Sequence, residues 1–249
     1  MHILETRGLT IRFGGQTAVD GVSCGFSAGT LTAIVGPNGA GKTTYFNLIS
    51  GQLRATTGSV LFKGAPVTGM SPAARTRLGI GRAFQLTNLF PNLTVLENVR
   101  LAAQARAGIG LDIFSVAARH RELEDKAKGY LARVALAPRA GSRASALSHG
   151  DQRKLEVALL LALEPEIFMF DEPTAGMSVD EVPVILDLIE AIKEEGNRTV
   201  LLVEHKMDVV RRLADRVIVL HNGALVADGG PAEVVASPIV QEAYLGTRR

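Results

Sequence analysis

The run Gly36-Pro37-Asn38-Gly39-Ala40-Gly41-Lys42-Thr43 matches the pattern G-x-x-x-x-G-K-[ST], and its residue types suit one class of ligand, a nucleoside triphosphate with magnesium. Glycines at these positions let successive backbone N–H groups turn inward around phosphate oxygens, and a helix starting at Lys42 adds positive potential. Lys42 supplies a point charge for the β- and γ-phosphates, while the Thr43 hydroxyl suits Mg2+. Phosphoryl chemistry also needs carboxylates. Ile167-Phe168-Met169-Phe170-Asp171-Glu172 delivers two at the end of an apolar strand. Asp171 is placed to hold the metal through water, and Glu172 to polarise the attacking water. Taken alone, a strand ending in Asp-Glu-Pro is more often a simple strand cap; only the glycine loop upstream reverses that reading.

These side chains need a strand–loop–helix unit and a mostly parallel sheet, and the chain is patterned for both. Strands are expected at 9–13, 21–26 and 31–35, with a helix from Gly41 through Ser50 ended by Gly51. A β pair follows at 59–62 and 65–67 around Gly64. From about 91 to 146 the spacing turns helical, notably at 95–106 and 119–135. Strand and helix then alternate at 167–170, 179–195, 199–203, 207–214 and 217–220, and the tail at 231–244 reads as one or two short helices.

The 249 residues are 47% hydrophobic and 21% charged, with a formal net charge of +2. That is a globular balance, long enough for one large α/β domain and too weakly basic to argue for nucleic acid by charge. Cys24 is the only cysteine, which excludes an intramolecular disulfide and a cysteine-built metal site; its plain reading is a small buried hydrophobe. Residues 1–10 lack the basic-then-apolar order of a signal peptide, and the apolar run 157–163 is far shorter than the ~20 residues of a spanning helix. No insertion into a membrane is expected.

Leu147-Ser148-His149-Gly150-Asp151-Gln152 resembles the signature segment of ABC ATPases, in its place between the phosphate loop and the paired acids. Read physically, Ser148 and Asp151 form a capping-box-like pair opening an apolar-faced helix, which offers N–H donors and a helix dipole to an anion. The resemblance implies an α/β P-loop NTPase of the ABC type: a mixed sheet core with an antiparallel β subdomain and an inserted α-helical subdomain, the core at 1–85 and 147–249 and the helical part at about 86–146. It implies ATP and Mg2+ as ligands, and a head-to-tail pair of ATPase subunits, identical or paralogous, in which Ser148, His149, Gly150 and Asp151 contact the nucleotide of the partner.

Further positions match the family residue by residue. Phe13 resembles the aromatic that stacks on adenine, or is strand core. Ala18 and Thr44 complete the nucleotide-binding set with residues 36–43. Gln85 resembles the glutamine that senses metal and water, so the implied metal set is Thr43, Gln85 and Asp171. His205 resembles the γ-phosphate switch and joins Glu172 as catalytic. Two departures stand out: His149 replaces the first glycine of the usual Ser-Gly-Gly, and Ser178 stands where an aspartate is usual after the paired acids.

Arg12-Phe13-Gly14-Gly15, Phe84-Gln85, residues 94–99, Val203-Glu204-His205-Lys206-Met207 and Tyr244-Leu245-Gly246 are similar to the subgroup that powers branched-chain amino-acid uptake. The resemblance implies transmembrane permease subunits as partners, no direct nucleic acid, and a cytoplasmic place on the inner face of the cell membrane. ATPases of urea or amide importers and of lipopolysaccharide export share these features. A soluble ABC ATPase acting on ribosomes or DNA is the competing class; such proteins usually carry two cassettes or a coiled-coil insertion. Phe90, Leu89 and Leu93 offer apolar surface to a helix of the membrane subunit, or seal the lobe's own core. Arg75, Arg77, Arg82, Arg100 and Arg106 are expected on a solvated face.

Overall fold

The computed structural model describes residues 2–83, 89–108, 117–238 and 240. Two long antiparallel strands, β1 (His2–Phe13) and β2 (Gln16–Ser27), precede β3 (Leu31–Val35) and α1 (Lys42–Ser50). Then come β4 (Thr57–Phe62), β5 (Ala65–Pro66), α2 (Pro72–Leu78) and β6 (Ile80–Arg82). Three helices follow, α3 (Val95–Arg106), α4 (Ala117–Arg133) and α5 (His149–Ala162). The alternating part is β7 (Ile167–Asp171), α6 (Val182–Glu194), β8 (Thr199–Val203), α7 (Met207–Leu213), β9 (Arg216–His221), β10 (Ala224–Gly229) and α8 (Pro231–Ala236).

The order β2-β1-β4-β5 makes an antiparallel sheet, and β10-β9-β3-β8-β7-β6 makes a second sheet that is parallel except for β10. Strands β3, β7 and β8 are buried at every position, as near-continuous apolar runs covered on both faces must be. Their alternation divides the core. Phe168, Phe170, Val200 and Leu202 pack with α3, α4, α5 and α6, whereas Ile167, Met169, Leu201 and Val203 face α1 and the antiparallel sheet. The carboxyl ends of the parallel strands thus open between an antiparallel β layer and a helical layer. No helix among the described residues is long and apolar enough to cross a membrane.

Several elements differ from expectation. β1 and β2 begin earlier, because register shifts break their in–out alternation. α2, with Ser71 as N-cap and Pro72 opening the helix, and the three-residue β6 are too short to show a period. Arg75 and Arg82 are buried, 1% and 7% exposed, which corrects the solvated-face reading for those two. The Arg75 guanidinium donates to Leu48 O (2.8 Å), Ile49 O (2.5 Å) and Thr68 O (2.8 Å), satisfying carbonyls at the end of α1.

Candidate nucleotide site

The glycine loop runs from β3 into α1 under close backbone neighbours. Gly36 (φ 152°) and Gly41 (φ 96°) hold left-handed conformations. A side chain at Gly36 would run into Leu220 O, and one at Gly41 into Ala18 O. Glycine is therefore needed both for its torsions and for its lack of a Cβ. Gly223 N donates to Ala40 O (3.1 Å) and Asp20 N to Gly223 O (2.9 Å), so the β9–β10 turn ties the loop to β2. Beside it lies a cavity of about 400 Å³ lined by Gln16, Thr17, Ala18, residues 38–44, Glu172, Asn222 and Gly223.

Lys42 is folded back on its own loop, its Nζ donating to Gly36 O (2.7 Å) and Pro37 O (3.0 Å). Burial pulls its ammonium below the ordinary lysine value, opposed by Glu172 and Asp171. Across the sheet, Asp171 Oδ2 is paired with Arg82 Nη2 at 2.8 Å, with side chains 0% and 5% exposed. Arg82 Nη1 donates to Asn47 Oδ1 (2.6 Å), Ser50 Oγ (3.0 Å) and Gln52 Oε1 (3.1 Å). Burial pushes the Asp171 carboxyl up and Arg82 pulls it back down. Asp171 Oδ1 is buried and lacks a hydrogen-bond partner.

Glu172 leaves β7 in a left-handed conformation (φ 49°), a strained setting for a non-glycine residue that recurs at functional sites. Its N–H donates to Val203 O (2.9 Å). Its Oε1 lies 3.8 Å from Nδ1 of His205, whose side chain is half-exposed.

Ser148 caps α5, accepting from Asp151 N at 3.2 Å. Only half of the expected capping box forms, because Lys154 Nζ donates to the Asp151 carboxylate at 3.1 Å. Gly150 packs so tightly on the Glu181 carboxylate that any side chain would collide with it. That carboxylate accepts from Ser178 N (3.2 Å) and Oγ (3.0 Å), so the departure at Ser178 is a local turn anchored by Glu181. His149 is exposed. None of residues 148–151 lines the cavity beside Lys42.

Phe13 is 52% exposed, which removes its strand-core reading. It pairs in register with Gln16, which lines the cavity, although Phe13 itself does not. Gln85 and residues 244–246 lie outside the described residues. Sequence reasoning missed Arg82, Glu204, Gln16 and Asn222. An arginine closing an apolar β-triplet before Ala83-Phe84-Gln85 was the available signal for the first, and the Asn-Gly hairpin turn for the last.

Magnesium fits the residues present. No cluster of three His, Cys, Asp or Glu side chains that could cage a metal occurs among the described residues, but this ion is usually held by one or two protein oxygens and substrate phosphates. The orphaned Asp171 Oδ1 and the Thr43 hydroxyl at the cavity are such oxygens.

Comparison with known proteins agrees with this geometry. The ABC transporter family profile matches residues 19–175, and a profile described as branched-chain amino acid ATP-binding cassette transporter matches residues 224–249. A high-affinity branched-chain amino acid transport ATP-binding protein of Salmonella typhimurium is 37% identical over 98% of each chain. A nucleotide-free ATP-binding cassette from an ABC transporter superposes with TM-score 0.84 at 30% identity, over 99% of this chain and 100% of that one. A dimeric ATP-binding cassette in a post-hydrolysis state, bound to ADP and Pi, superposes with TM-score 0.79 at 27% identity, over 92% and 98%.

Proposed function

The chain belongs to the ABC transporter family as an ATP-binding, ATP-hydrolysing subunit, and from that premise we propose that it powers branched-chain amino-acid import. Membership implies pairing with a second ATPase subunit and with transmembrane permease subunits. The import reading rests on the match of the C-terminal segment and on relatives of that description along nearly the whole chain.

In this reading the triphosphate lies along residues 38–44, with Lys42 released from its loop carbonyls to the β- and γ-phosphates. Thr43 and Asp171, with Gln85, would hold a magnesium ion, which when bound would supply charge screening for the phosphates. Glu172 takes the proton of the attacking water as that water adds to the γ-phosphorus and the bond from that phosphorus to the β-phosphate oxygen breaks, releasing ADP and inorganic phosphate, and His205 contacts the γ-phosphate. Phe13 stacks on adenine. The start of α5, residues 148–151, closes over the partner's nucleotide, and closure moves the membrane subunits. The groove lined by Leu89, Phe90, Leu101 and Leu159 receives a short helix of a membrane subunit, which holds the chain on the inner face of the membrane.

One observation carries the proposal. One cavity collects residues 38–44 and Glu172 while residues 148–151 stand outside it, so among the described residues the start of α5 does not cover the cradle of its own chain, which is what a head-to-tail pair of subunits requires. The test is isolation from its own membranes in mild detergent, followed by uptake assays in vesicles holding the isolated assembly. Permease subunits should accompany the chain, and MgATP should drive leucine accumulation that Lys42→Ala abolishes. Sedimentation with ribosomes, or ATP-driven transport that ignores branched-chain amino acids, overturns it.

A further inference from the structure

We propose that Glu204 is a positioning residue for hydrolysis: its buried carboxylate ties the loop carrying Glu172 to the turn carrying His205, and so sets the gap between those two side chains. The proposal rests on the roles just given to Glu172 and His205.

Glu204 directly follows β8 and has no exposed surface. Thr174 Oγ1 donates to its Oε1 at 2.9 Å. The N–H groups of His205 and Lys206 donate to its Oε2 at 2.9 and 3.1 Å. One carboxylate thus holds two segments from different strands. Thr174 lies two residues beyond Glu172, in the turn closed by Ala175 N donating to Glu172 O (3.0 Å).

An acid is a costly choice here. Its neighbours on β8, Leu201, Leu202 and Val203, are all fully buried apolar residues, and a carboxylate among them carries a desolvation penalty that an aliphatic side chain avoids. What the carboxylate supplies, and an aliphatic side chain does not, is polar capacity for three donors at fixed directions. Those donors belong to the two segments that must present Glu172 and His205 to one reacting centre, where the side chains now lie 3.8 Å apart. The half-exposed His205 imidazole has little packing of its own, so its backbone is where it can be held. Misplacing a catalytic group by about 1 Å costs rate by about 10²-fold, which makes this tie consequential without Glu204 touching the nucleotide.

The test compares Glu204→Ala, Glu204→Gln and Thr174→Val with the unmodified chain, each checked for folding by its melting curve, by measuring ATP affinity and kcat separately. Glu204→Ala should lower kcat about 10-fold or more while leaving ATP affinity within about 2-fold. Glu204→Gln should recover kcat to within about 3-fold, since its amide oxygen accepts the two N–H groups and its NH2 faces the Thr174 hydroxyl. Thr174→Val, which cuts one tie, should lower kcat alone and by less. A contact that merely stabilises the fold would move melting and affinity together and would not separate Gln from Ala. Unchanged kcat in Thr174→Val, or Gln no better than Ala, overturns the proposal, and these two variants decide the matter if Glu204→Ala does not fold. Glu172→Gln run alongside separates the failures: full turnover there removes the catalytic reading itself.

Discussion

Asp171 and Glu172 are neighbours in the chain yet meet different surroundings at the end of β7, and the roles proposed for them follow that division. Asp171 is the last residue of the strand, sealed against Arg82, with one oxygen left unpartnered. Glu172 turns out of the sheet in a left-handed conformation, half-buried, on the wall of the nucleotide cavity. Glu172→Gln keeps the size and the polar contacts of that side chain but removes the base. ATP binding should persist in this variant, while turnover falls by about 10²-fold or more and a dimer accumulates with MgATP. Equilibrium nucleotide binding, phosphate release and analytical ultracentrifugation read the three effects, and unchanged phosphate release removes Glu172 from the base role. Lys42 was legible as a cavity residue from its place in the glycine loop, and Asp171 and Glu172 drew attention only once that loop was read upstream of them. Arg82 and Glu204 were not legible, because a charged residue in a short run reads as surface until the fold buries it: Arg82 finds its partners only on α1, on Gln52 and on β7, and Glu204 reaches beyond its own turn only to Thr174 after β7.

Elements were legible where both ends carry punctuation. α1 lies between Gly41 and Gly51, each at positive φ, and its bounds follow directly from those glycines. α3 begins at Thr94 for an equally local reason: the Thr94 Oγ1 accepts from Glu97 N (3.1 Å) and the Glu97 carboxylate accepts from Thr94 N (2.8 Å). Elements defined by tertiary pairing escaped, as with β6, whose three residues exist as a strand only through β7, and β10, a half-buried edge without alternation. The comparison with α5 shows what a carboxylate at the third position does when a lysine competes: Asp151 turns to Lys154 and leaves a single capping bond. The complete box on α3 should therefore be the stronger anchor. Thr94→Ala removes the side-chain half of the box, the bond from Glu97 N, and leaves the backbone half; it should cost about 1 kcal/mol, read as a lower urea midpoint with an unchanged slope, and no shift in midpoint would mean that packing, not capping, holds this end of the helical layer.

At the scale of the whole molecule, the nucleotide cavity and the apolar groove are lined by different residues, yet Arg82 of the groove is paired with Asp171, the chain neighbour of Glu172 on the cavity wall. Arg82 lines the groove of about 350 Å³ together with Phe90, Leu101 and Leu159. A helix seated in that groove therefore rests against the residue that holds the metal-side carboxylate, a physical route by which membrane subunits and nucleotide sense one another. Phe90 is the accessible part of the groove. It is 55% exposed, too open to seal the lobe's own core, and its backbone is pinned by Asn98 through Oδ1 (2.8 Å) and Nδ2 (3.1 Å). An aromatic side chain presented from a rigid backbone is a typical interface anchor, whose loss costs about 2 kcal/mol or more, equivalent to about 30-fold in affinity. Phe90→Glu should weaken association with the permease subunits by at least that factor and abolish ATP-driven uptake. The isolated chain should keep its ATP affinity and basal turnover, because Phe90 is not among the residues that line the nucleotide cavity. Co-purification and uptake in vesicles measure the first pair of effects, and nucleotide titration with phosphate release the second. Retained association would place the membrane contact elsewhere, while a fall in basal turnover would show that the groove acts on Asp171 even when nothing occupies it.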